Sequence, residues 1–128
     1  MRKAVQVANL PGFQWMDGMR NGAAGKGGRF YQLKTDEHGT WVESYRNDGR
    51  GVWAEPIESS WPDLKDPGTI GCLMSLMSDY LRILPHRKYG FVVEDIIHGH
   101  WVASQSESIG EAIADCVIQL GKWPGGEA

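Results

Sequence analysis

The sequence predicts an α+β domain: an antiparallel sheet, made of a β-meander and a hairpin, with two amphipathic helices packed on it. Three observations predict it. Asp66-Pro67 has the form of a helix start, since an aspartate N-cap accepts from unpaired first-turn amides and a proline at the next position needs no donor. Residues 30–33 and 40–45 are rich in aromatic and β-branched side chains and are separated by turn formers, the signature of paired strands. Ser108-Ile109-Gly110-Glu111 has the form of a capping box, with serine and glutamate three positions apart.

In chain order, residues 4–8 alternate weakly and read as a short strand, ended by the turn-forming Asn9-Leu10-Pro11-Gly12. Residues 13–20 carry Phe13, Trp15, Met16 and Met19 and read as a piece packed on the domain. Residues 21–29 hold four glycines and no large apolar side chain, and read as a flexible loop. A meander follows: strands at 30–33 and 40–45 around an Asp36-Glu37-His38-Gly39 turn, then Asn47-Asp48-Gly49 leading to a third strand at 51–54. Along the middle strand Trp41, Glu43 and Tyr45 face one way and Val42 and Ser44 the other, so neither face is cleanly apolar and both are expected to be partly covered.

The central helix opens at Asp66 and carries Ile70, Leu73, Leu76 or Met77, Tyr80, Leu81 and Leu84 at the spacing of one buried stripe. Pro85 places its end near Leu84, because the residue before a proline is disfavoured in helical geometry. A strand pair at 89–97 and 100–104, joined at His98-Gly99, leads to the final helix. That helix shows Ile109, Ala112, Ile113, Cys116, Val117 and Leu120 on one stripe, with Gly121 as its C-cap and 122–128 as a short tail.

A chain of 128 residues forms one domain, able to bury a core without disulfides or a structural metal. Both cysteines, Cys72 and Cys116, fall within expected helices and read as buried thiols; a bond between them would need an oxidising compartment. No apolar run reaches the roughly 18 residues that span a bilayer, so no membrane contact is expected and the cytoplasm is the default location. The net charge of −3 is unevenly spread: residues 1–52 carry eight basic against five acidic side chains, residues 53–128 five against eleven. Direct nucleic-acid binding therefore finds no concentrated basic face, and the acidic half opposes it.

The candidate chemistry is sparse. Arg20, Lys26 and Arg29 flank a glycine-rich loop of the kind that cradles phosphates, yet the P-loop spacing is missing, and the loop reads either as a solvated linker or as an anion or nucleotide contact. His98 and His100 with Glu94 and Asp95 are ligand-type side chains without a complete metal set, so turn histidines are the simpler reading. The basic His86-Arg87-Lys88 favours the negative end of the preceding helix dipole. Asp63 and Asp66 resemble an acidic pair, but a turn and a cap explain them. No nucleophile or acid–base constellation appears, and neither a cofactor nor a catalytic residue is expected. Trp41, Trp53 and Trp101 fall on expected strands. Trp15, Trp61 and Trp123 lie in irregular segments, where exposed indoles mark interfaces or stacking surfaces.

The run Pro62-Asp63-Leu64-Lys65-Asp66-Pro67-Gly68-Thr69-Ile70-Gly71-Cys72-Leu73 resembles the helix start of a family of small bacteriophage and prophage proteins, Pro-Asp-x-x-Asp-Pro-Ala-Thr-x-Gly-Cys-Leu. Trp15 to Arg20 and the final-helix start extend the likeness along most of the chain, with Asp17 where that family often has proline and Gly68 where it often has alanine. The family has no assigned catalytic residues. The resemblance implies a mobile-element origin, and with it an accessory protein that occupies a host protein or protein–nucleic acid complex, for instance as an inhibitor of a host defence system such as CRISPR. The acidic residues Glu94, Asp95, Glu107, Glu111 and Asp115, together with Trp15 and Trp61, are the candidate partner surface, complementary to a basic groove. Two other expectations stand beside it: a nucleotide or small-anion binder or small enzyme using Arg20, Lys26 and Arg29, and a virion accessory part. Exposed strand edges also admit a homodimer.

Overall fold

A computed structural model describes residues 2–23, 28–46, 48–77, 81–88, 90–95, 100–104 and 108–123. The chain is α+β, and the described residues form three α-helices and two three-stranded antiparallel sheets. The elements are α1 (Lys3–Ala8), β1 (Phe30–Asp36), β2 (Gly39–Tyr45), β3 (Val52–Pro56), a 3-10 turn at Ile57–Ser59, α2 (Pro67–Ser75), β4 (Leu81–His86), β5 (Gly90–Asp95), β6 (His100–Ser104) and α3 (Ile109–Leu120).

The first sheet is the expected meander, ordered β1-β2-β3. Its first turn is two residues long because Asp36 accepts from the His38 amide at 2.8 Å and Gly39 takes φ 130°, a conformation closed to most side chains. Register then fixes the faces, with Leu33 opposite Val42, Phe30 and Trp53 both opposite Ser44, and Tyr45 opposite Val52. On one face Val42 and Ser44 are buried while Leu33 is exposed, and on the other Trp41 and Glu43 are half-buried while Tyr45 is open to solvent. Both faces are thus partly covered, as expected, and the one carrying Tyr45 is the more open at its Tyr45 end.

The second sheet is also a meander, β4-β5-β6, where the sequence suggested only a hairpin. Its β4 occupies the stretch expected to finish the central helix. The four residues Leu81-Arg82-Ile83-Leu84 fit helical and extended periods alike, and α2 stops at Ser75, with Leu76 and Met77 closing its last turn. Pro85 lies within β4, opposite Phe91, and β4 is an edge of its sheet, where a missing ladder donor is tolerated. His86 accordingly ends β4, and Arg87 and Lys88 lie in the β4–β5 connection and not at a helix end. The expected turn at His98-Gly99 lies outside the described residues.

The central helix is α3, which packs against β5, β6, α1 and α2. Gly110, Ala112, Ile113, Ala114, Cys116 and Val117 are all buried along it, more than one stripe, because it has neighbours on several sides. Its serine cap accepts from the Glu111 amide and Gly121 ends it at φ 78°, as the sequence indicates. The stretch read as a first strand is α1, whose Ala4 and Val7 are buried one helical turn apart as the helix packs on α3. Lys3 ties the two together, reaching Asp115 at 2.6 Å and Glu111 at 3.1 Å. Trp123, expected in the tail, is fully buried: its indole donates to the Val7 carbonyl at 2.7 Å and its amide to that of Pro11 at 2.9 Å. The tail beyond Trp123 lies outside the described residues. Both cysteines are thiols, Cys116 in the core and Cys72 half-buried on α2.

Candidate functional site

The segment around Arg20 is a short zipper and not a free loop. Arg20 and Asn21 form isolated bridges with Arg29 and Pro62, and the Gly22 amide donates to the Trp61 carbonyl at 2.8 Å and the Asp63 amide to the Arg20 carbonyl at 2.9 Å. Asn21 is fully buried and satisfied, donating to Ser60 at 3.1 Å and accepting from the amides of Ala23 and Trp61. Gly28 is required here, because a Cβ would overlap the Tyr45 carbonyl. Both ends of the loop are thus fastened, and Lys26 lies outside the described residues.

Arg29 is spent on the fold. Its guanidinium makes a close ion pair with the buried Asp66 and donates to the Gly18 carbonyl. Asp66 also accepts from the Thr69 amide at 2.9 Å and hydroxyl at 3.2 Å, and Thr69 accepts in turn from the Arg20 amide at 2.8 Å. Burial opposes the charge on Asp66, but the Arg29 and Thr69 hydrogen bonds outweigh it and hold the carboxyl below its ordinary range. Asp63 caps its own turn through the Lys65 amide and lies 4.0 Å from the Arg20 guanidinium. The acidic pair is therefore a cap and a turn, each with an arginine beside it. Cys72 donates to the Asp17 carbonyl at 3.2 Å, and burial with the nearby Asp17 charge pushes its thiol up, away from a reactive thiolate.

Of the residues expected to form a partner surface, Trp61 and Glu111 border one recess of about 380 Å³, and Trp15 lies outside its lining. Trp15 stacks on Phe30 at 6.0 Å and meets Phe13 edge to face at 5.6 Å. Trp61 is half-buried against Gly22 and carries Arg2 over its ring at 4.3 Å. Glu111 and Asp115 both close on Lys3, so much of their charge is answered within the molecule. Glu94 and Asp95 stand on β5, opposite Arg82 and Leu81 in register, and Glu107 lies outside the described residues. Among the described residues no three histidine, cysteine or acidic side chains gather as a metal site would need, and no helix is long and apolar enough to cross a membrane.

What the fold does bring together is the open end of one face of the first sheet. Tyr31, Tyr45 and Val52 are 43%, 52% and 38% exposed. Register sets Tyr45 beside Val52, and the Tyr31 and Tyr45 rings lie 5.0 Å apart. The same face continues into a groove of about 210 Å³ bordered by Lys34, Asp36, Trp41, Glu43 and Ala54. Large amphipathic rings held on a sheet, with opposite charges at their margin, suit a protein contact. Trp41, Glu43 and Tyr45 share a face by sequence alternation; Val52 joins them through the cross-strand register, and Tyr31, at the point where the β1–β2 register shifts, through its ring contact with Tyr45. Comparison with protein-family models, with curated proteins and with solved structures finds no match to this chain.

Proposed function

We propose that the protein is a binding protein without catalysis that docks a protein partner on the open end of that face of the first sheet, around Tyr31, Tyr45 and Val52. The observation that carries the reading is the clustering of these three exposed side chains on one rigid face, where single scattered apolar residues would need no explanation. Two tyrosines supply large contact area at small rotamer cost. The commitment of Arg29 to Asp66 removes a member of the anion set and favours a protein partner over a nucleotide.

The sequence resemblance to small phage proteins supports a mobile-element origin, and that origin supports a host target. The partner is then a host protein or protein–nucleic acid complex in the host cytoplasm, and inhibition of a defence system of the CRISPR type is the use proposed for it. A photo-reactive phenylalanine in place of Tyr45 tests the docking face in host lysate. It is expected to give one adduct of defined mass, and the same group at Gln119, exposed on α3, is expected to give none. No adduct at position 45, or equal adducts at both positions, would refute the assignment.

A further inference from the structure

A second recess lies away from that face, between the segment following α1, the far side of β1 and the 3-10 turn. It encloses about 520 Å³, within the range of small-molecule sites. Phe13, Trp15, Leu33 and Ile57 border it together with Ala8, and Asn9, Gln14 and Glu58 are the polar residues of its lining. Leu33 shares the side of β1 that faces Val42, yet it is 46% exposed, because the recess and not another element stands over it.

We infer that this recess is a binding site for a small organic cation, an alkylguanidinium or alkylammonium compound. Glu58 is the single ionisable group on its wall, and none of the ion pairs among the described residues involves it. The turn that carries it is braced from below, Ser59 and Ser60 both donating to the Pro56 carbonyl. Aromatic rings attract a cation through their quadrupole and an alkyl stem through apolar contact. An anion meets repulsion from Glu58, and a neutral ligand leaves the carboxylate unused. The alkyl body lies against Leu33 and Ile57, the charged head at Glu58, with Asn9 and Gln14 completing its hydrogen bonds.

The test is a titration of the full chain with n-butylguanidinium, n-butylammonium and the neutral isostere n-butylurea, following the indole N–H resonance of Trp15. That resonance is assigned by its loss in Trp15→Phe. Both cations are expected to shift the signal saturably, with n-butylurea about tenfold weaker, the span of a charge-assisted contact in such a setting. Glu58→Gln, an exposed change checked by an unaltered Tm, is expected to abolish the preference for charge. Equal binding of the urea and the guanidinium, a preference that survives Glu58→Gln, or the absence of a saturable shift with either cation would overturn the inference.

Discussion

Asp66 shows how much of this molecule rests on one carboxylate. It caps α2, takes the Arg29 ion pair and, through Thr69, anchors the Arg20 amide, so three segments of chain meet at one buried group. Asp66→Ala is expected to cost about 2 kcal/mol, the upper range for a lost cap. Asp66→Asn keeps a capping oxygen and should cost about 1 kcal/mol, since the exposed Arg29 partner limits the value of the charge. Because the carboxyl is held below its ordinary value in the folded state, its contribution is complete above that value, about pH 4, and is lost as pH falls through the lower folded one. The gap between wild type and Asp66→Asn in urea unfolding should therefore be flat at neutral pH and close below about pH 4.

Ser44 makes the opposite case. Its hydroxyl is buried without a hydrogen-bond partner, so Ser44→Ala should leave stability unchanged or raise it by up to about 1 kcal/mol, as thermal unfolding will read. The cap at Asp66 was legible because it depends on its own neighbours. The arginine that completes it stands 37 residues away, a pairing that local spacing does not encode.

At the scale of elements, helix ends with a cap were readable and apolar runs without one were not. Ser108 and Gly121 bound α3 where the sequence places them, because serine supplies an acceptor and glycine the left-handed turn. Residues 4–8 and 81–86 are too short for their apolar spacing to choose a period, and tertiary packing chose: helix for the first, against α3, and strand for the second, beside β5. Gly110 is another tertiary decision. A methyl group there would favour the isolated helix by about 1 kcal/mol, but it would strike the Leu64 carbonyl where α3 meets the segment before α2. Gly110→Ala is expected to destabilise the protein by about 1–3 kcal/mol, measured by denaturant unfolding. A gain in stability would show that this contact yields.

For the whole molecule, the α+β class followed from the pattern of helices and strands, whereas the division into two sheets did not, since nothing in the composition of β4 marks it as a strand. The distribution of surface follows from that division. The second sheet has α3 packed on it, while the first fully buries Val42 and Ser44 on one side and leaves Tyr31 and Tyr45 about half exposed. Arg29, Trp15 and Trp123, which suggest ligand contacts in the sequence, are used internally by the fold; the open face emerges only when the three strands lie side by side. The decisive measurement is affinity capture from nuclease-treated host lysate, comparing the tagged protein with a Tyr45→Lys/Val52→Lys variant whose unfolding midpoint is unchanged. The account predicts a stoichiometric protein partner on the wild type and its loss on the variant. A partner retained equally by both would contradict the assignment of this face.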